Sequence, residues 1–263
     1  MTSTKYIKRQ ENKGVKTQLA RGSAPFKRTQ EILSIAVFFI LWSINVAYLF
    51  KHFQWNHFGS LVIGILSGIL VADFASGAVH WGCDTWGSID LPVIGHALIR
   101  GFREHHVDAT AITRHDFVET NGDNFLTSAL VLSNQFYRFY YQDSNVAMDW
   151  ITLEYLILAV TLFVAFTNQI HKWAHSYYGL PPLVEWLQNH HVILPRQHHK
   201  IHHVAPHDTY YCITTGWLNY PLEVIGFWNK LENIIEKLTG VAPRADDMKW
   251  TKANCATQNG RAK

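Results

Sequence analysis

The sequence predicts an all-α, multi-pass membrane protein with about four transmembrane helices and a histidine-rich helical cap on the cytosolic side. Three observations lead there. The apolar residues of the 263-residue chain are gathered into long runs although the mean hydropathy is only -0.04. The basic residues concentrate at the N-terminus, and the histidines cluster where the apolar runs end.

Residues 1–30 carry eight Lys or Arg against the single acid Glu11, and lack the apolar stretch of a signal peptide. They read as a disordered basic tail, cytosolic by the positive-inside rule. The runs "ILSIAVFFILWSINVAYLF" (32–50) and "FGSLVIGILSGILVADFASGAVHW" (58–81) follow. Each reaches the ~20 residues that cross a bilayer, and neither reads as a buried helix of a soluble protein. The linker 51–57 would be lumenal. "FLTSALVLSNQFYRFYY" (125–141) is a shorter, aromatic-ended span or a re-entrant segment. "ITLEYLILAVTLFVAF" (151–166) opens a last helix, drawn as a span near 150–170. Continued from Trp150 to Tyr178 it would be roughly 42 Å long and outrun a hydrocarbon core of ~30 Å. "GLPP" (179–182) then breaks it. The membrane domain occupies 31–250, with a tail at 251–263. Residues 82–124 and 168–263 then share the cytosolic side, so all four histidine clusters lie on one face of the membrane.

The clusters suit metal binding. Asp73, His80 and Asp84 are seven and four residues apart, on one helical stripe running from mid-membrane to the surface. An aspartate within a span is a functional candidate, unless Ser76 or a facing helix satisfies it. "GFREHHVDATAITRHDFVETNGDN" (101–124) supplies His105, His106 and His115; "HKWAH" supplies His171 and His175. "HHKIHHVAPH" (198–207) holds five of the sixteen histidines between Pro195 and Pro206, which predicts a helix of roughly three turns over 195–205. There His198 and His202, like His199 and His203, share a face, while the adjacent pairs diverge. One metal cannot reach all four, whereas two adjacent metals, or one metal and its supporting shell, can. HExxH is absent, and eight or more candidate ligands exceed the needs of one zinc. Imidazole alone leaves zinc, iron, copper and nickel open. Paired haems would want ligands on facing spans. His52, His57, His96, His190 and His191 read as solvated or capping, and His115 and His207 stay open. Cys83, Cys212 and Cys255 form no CxxC pair, as expected in a reducing compartment. No GxGxxG stretch or haem-binding domain is visible, so electrons for redox chemistry must come from a partner.

The strings "HWGCDTWGSIDLPVIG", "FREHHVDATAITRHDFVETNGDN", "TNQIHKWAHSYYGLPP" and "NHHVILPRQHHKIHHVAPHDTYYCITTGWLNYPLE" resemble the Kua family, called transmembrane protein 189 in animals and CarF in bacteria, from about residue 30 to "PRADDMKW" (243–250). The animal members desaturate plasmanylethanolamine, taking 1-O-alkyl ethanolamine phospholipids to vinyl-ether plasmalogens. The resemblance implies an endoplasmic-reticulum enzyme with a phospholipid substrate and no nucleic-acid partner. It also implies a di-iron centre, O2 as co-substrate, and electrons from NAD(P)H through cytochrome b5 and its reductase. It puts histidine boxes on His171-x3-His175 and His198-x3-His202, with His80, Asp84, His105, His106, His199 and His203 as further motif positions. His80, Asp84, His105 and His106 form the candidate catalytic group. Phe102, Arg103 and Asp73 are candidate substrate contacts, and Arg100, Arg103 and Arg114 either grip a lipid phosphate or anchor the cytosolic face. The spacings differ from the HxxxxH and HxxHH boxes of acyl-CoA desaturases. A membrane acyl-lipid desaturase or hydroxylase is the nearest rival. A metal transporter would line the spans with ligands, and here only Asp73 lies deep.

Overall fold

A computed structural model describes residues 25–244, apart from 89, 93–94, 96–98, 143–147 and 205; residues 1–24 of the expected basic tail, the C-terminal tail and His96 lie outside the described residues, whereas residues 25–30, expected to be part of that disordered tail, open the first helix. Nine α-helices and no strand occur among the described residues. Four are long: α1 (Pro25–Lys51), α2 (Phe58–Thr85), α4 (Phe117–Tyr141) and α5 (Ile151–Ala174). Five are short: α3 (Arg100–Val107), α6 (Pro182–Asn189), α7 (Arg196–His202), α8 (Asn219–Val224) and α9 (Phe227–Thr239).

Stretches Phe26–Lys51, Trp55–Thr85 and Ile151–Ala174 are long and apolar enough to cross a membrane. The expected segment 125–141 belongs to a longer helix, because Asp116, nine residues before the start of the apolar run, caps α4 by accepting from the Glu119 amide at 3.0 Å. At 25 residues α4 matches a span in length, but Glu119, Asp123 and Arg138 lower its hydropathy. Helix α5 ends at Ala174, four residues short of the expected Tyr178, with His175 as its C-cap. Pro182 opens α6 at its first turn.

The long helices stand in the order α2, α5, α4, α1, each packed on the next. Lipid tails are as apolar as the helix faces, so close packing and interhelical hydrogen bonds hold this row together. At Gly64 and Gly68 of α2 a Cβ would lie 2.6 Å from the carbonyl oxygens of Thr152 and Leu156, so only glycine lets α5 approach this closely. Phe38 of α1 meets Phe125 of α4 edge-on at 4.8 Å, over Leu132 and Ala165. Near the start of α5, Gln135 donates to Glu154 Oε2 at 3.0 Å, Arg138 reaches both oxygens of the same carboxylate at 2.8 and 3.0 Å, and Asn45 donates to Gln135 at 3.1 Å. Helices α3 and α6–α9 gather at the other end, where α2 and α5 deliver their histidines.

Candidate metal centre

Four chain segments bring eight imidazoles together. Helix α2 supplies His80, α3 supplies His105 and His106, α5 and its cap supply His171 and His175, and α7 and its cap supply His199, His202 and His203. They form two groups whose candidate ligand atoms lie within 4.8 Å of one another. His105, His171, His175, His199 and His203 make one; His80, His105, His106 and His202 make the other. His105 belongs to both, so the groups adjoin. The carboxylate of Asp84 completes the second group, with Oδ2 at 3.2 Å from His80 Nε2, 3.5 Å from His106 Nε2 and 3.6 Å from His202 Nε2.

The contacts inside the first group are not those of a hydrogen-bonded core. The Nε2 atoms of His171, His175 and His199 stand in a triangle with sides of 2.9, 2.9 and 3.0 Å, and His203 Nε2 lies 3.1 Å from that of His199. A ring nitrogen offers one proton or one lone pair along one direction. Three converging on a common point cannot all be paired with each other, and a metal ion at that point resolves the conflict. His105 Nε2 is buried without a hydrogen-bond partner. In the second group the outer nitrogens are fixed: His80 Nδ1 donates to the Tyr211 carbonyl at 3.0 Å and His202 Nδ1 to that of Thr209 at 2.8 Å. That tautomer turns the Nε2 lone pairs inward, as ligating imidazoles require.

The rings outside the spans are also held neutral, which metal binding demands. Burial, then the neighbouring His203, lowers His175 to about 3 and His202 to about 3. Burial, then His207, lowers His203 to about 4. Burial likewise drives His105, His106 and His199 far below the usual imidazole range.

Helix α7 is shorter than the predicted 195–205, ending at His202 with His203 as cap, and its rotation sorts its four histidines. His199 and His203 enter one group and His202 the other. His198 joins neither; its ring sits edge-on to Tyr210 at 5.3 Å and to His191 at 5.8 Å. His207 stacks on His106 at 4.6 Å and donates through Nδ1 to the His202 carbonyl at 3.1 Å.

Asp73 is buried but directed elsewhere. Its Oδ1 accepts from the amides of Thr215 and Gly216 at 2.7 and 2.9 Å, and its Oδ2 from that of Leu218 at 3.1 Å. The Ser76 hydroxyl binds the Asp73 carbonyl, not its carboxylate. The carboxylate therefore pins the 215–218 loop to α2. Arg114 pairs with Asp108 at 2.7 Å. The side chain of Arg103 lies outside the described residues.

A cavity of about 320 Å³ reaches this centre between α2 and α5, bounded also by Phe102, His115 and Asn124, with His105 and His171 in its wall. Phe102 is among the residues that line the cavity. The rows of small residues that line the cavity were not singled out from the sequence, since they read there as ordinary span. The geometry is that of a protein able to hold metal beside a partly open, mostly apolar chamber between membrane-length helices.

The model of a lipid desaturase domain matches residues 69–246. The chain is 57% identical over 235 residues to plasmanylethanolamine desaturase 1 of Mus musculus, covering 89% of this chain and 87% of that protein. It is 44% identical over 239 residues to a plasmanylethanolamine desaturase of Myxococcus xanthus, covering 88% and 79%. Chloroplastic fatty acid desaturase 4 of Arabidopsis thaliana is 31% identical over 189 residues, covering 72% of this chain and 54% of that protein. No solved structure matches.

Proposed function

We propose, for a chain that belongs to the lipid desaturase family, one reaction: conversion of 1-O-alkyl ethanolamine phospholipid to its 1-alkenyl vinyl ether. The balance is R–O–CH2–CH2–R′ + O2 + 2 H⁺ + 2 e⁻ → R–O–CH=CH–R′ + 2 H2O. The observation that carries this reading is His105, which belongs to both histidine groups and also lines the cavity. A pair of irons bound there would supply the activation of O2 needed to take hydrogen from unactivated carbons.

The chain's own residues supply the rest. His171, His175, His199 and His203 would hold one iron, and His80, His106, His202 and Asp84 the other, with His105 between them. The Tyr211 and Thr209 carbonyls hold His80 and His202 in the ligating tautomer, and Asp84 adds negative charge to offset the metals. The cavity walls exclude water and keep the carbons beside the saturated ether oxygen near His105 and His171. With the N-terminus cytosolic and α4 as a fourth crossing, the centre faces the cytosol, near the depth of the C1–C2 bond below a phospholipid headgroup. Electrons arrive from NAD(P)H through cytochrome b5 and its reductase, in the endoplasmic reticulum.

Microsomes carrying the chain, from cells that make no plasmalogen, are given labelled 1-O-alkyl phosphatidylethanolamine, NADH and air. Acid-labile vinyl-ether lipid should form, and His202→Ala should abolish it. Desaturated acyl chains with no vinyl ether would move the assignment to fatty acyl chains, in keeping with the fatty acid desaturase name of the Arabidopsis relative.

A further inference from the structure

The cavity's two long walls repeat one spacing. Ala72, Ala75, Ser76 and Val79 on α2, and Val164, Thr167, Asn168 and His171 on α5, all line it, each set following a three-one-three interval on a single helix face. The two helices run in the same direction, both ending at the histidines. One to two turns below this stretch they touch backbone to side chain, because Gly64 and Gly68 leave no room for a Cβ. The gap is therefore a wedge, closed below Ala72 and widest at His105 and His171.

The hydroxyl and amide groups on its two helix walls are already hydrogen-bonded, and His115, also in the lining, pairs with Glu119 at 3.0 Å. Ser76 Oγ donates to the Asp73 carbonyl at 2.7 Å and accepts from the Ile213 amide at 3.1 Å. Thr167 Oγ1 donates to the Phe163 carbonyl at 2.8 Å, and Asn168 Nδ2 to that of Thr120 at 3.0 Å. The wedge thus offers methyls and methylenes along its length, while His105 Nε2, buried and without a hydrogen-bond partner, lies at its wide end. Ala72 at the narrow end is fully buried, whereas Val79, near the wide end, is 49% exposed on the membrane-facing surface. The wedge therefore reaches the lipid at the level of the histidines and is sealed two turns deeper.

Resting on the desaturase reading, we propose that this wedge is the slot for the saturated chain being desaturated. The chain enters sideways past Val79 and lies between the α2 and α5 rows, and the small side chain of Ala75 sets the slot's width. A mostly apolar lining whose hydroxyl and amide groups are already hydrogen-bonded suits an alkyl chain better than a charged or strongly polar one.

The test uses the metal-loaded full chain in nanodiscs, with oxygen excluded so that no turnover occurs. Retention of 1-O-hexadecyl phosphatidylethanolamine is read by native mass spectrometry, and turnover is measured separately in air. Ala75→Leu should lower both by about tenfold, the size of an overpacking penalty. Val164→Leu, narrowing the slot from the other wall, should do the same. Adding Val164→Ala to Ala75→Leu should restore both, and Val71→Leu, the same one-carbon enlargement as Val164→Leu but at an exposed position of α2, should change neither. Metal content and helix content confirm which variants are folded. Wild-type retention from folded Ala75→Leu and Val164→Leu, or no rescue in the double variant, overturns the slot. Wild-type retention that responds to these variants, with no vinyl ether formed in air, supports the slot and refutes the proposed reaction instead.

Discussion

Helix α5 carries a polar cluster at each end, and the two are built on opposite principles. Near its start, Glu154 accepts from Gln135 and Arg138, and Asn45 donates to Gln135, so each contact sets a donor against an acceptor. Roughly 25 Å further along, His171 and His175 meet His199 and His203 with like nitrogens facing one another. The first cluster leaves one buried oxygen, Asn45 Oδ1, without a partner, but its charges and donors are otherwise matched and it ties α1, α4 and α5 together. The second is incomplete without a cation. Buried polarity alone therefore does not mark a site; mismatched polarity does.

Substitutions should separate the two ends. The largest effect on activity is expected at His171→Ala, which removes a ligand: desaturation falls by at least about a hundredfold, the upper range for groups that merely support a ligand. Helix content by circular dichroism should stay the same. Glu154→Ala should do the reverse. It strands the Arg138 guanidinium and lowers unfolding stability by about 3 kcal/mol, with metal content unchanged by elemental analysis. Loss of metal in that variant would show that the two ends are not independent.

Asp73→Asn tests a region between them. Its carboxylate accepts from three amides of the 215–218 loop, and neutralising it should cost about 1–3 kcal/mol with a smaller loss of turnover than at His171. The smallest effect is expected at His198→Ala, less than about tenfold on turnover, because the ring joins neither group. Equal losses in His198→Ala and His202→Ala would restore the His198-x3-His202 box as a ligand pair.

The sequence made the helices and most of the centre legible for simple reasons. Uncharged runs of bilayer length are hard to misread, and histidines four apart share a helix face whatever surrounds them. The sorting of α7 was not legible. Whether His198 or His202 enters the centre depends on how a two-turn helix is rotated, and that is set by Tyr210 and the Thr209 carbonyl in a loop beyond it. The partners of Asp73 lie some 140 residues away in sequence, at amides that carry no side-chain signature. The cavity was equally hidden. Ala72, Ala75 and Val79 belong to an ordinary apolar span until they are found lining a cavity opposite Val164, Thr167 and Asn168 of α5.

The proposed reaction stands on two adjacent irons, one in each histidine group. Iron per chain in the purified protein, measured with its Mössbauer spectrum, tests this most directly. Two irons per chain in a coupled pair are expected, and one uncoupled iron after His106→Ala, since His106 belongs to the second group alone. A single iron in the wild-type chain, or a pair that survives in His106→Ala, would contradict it.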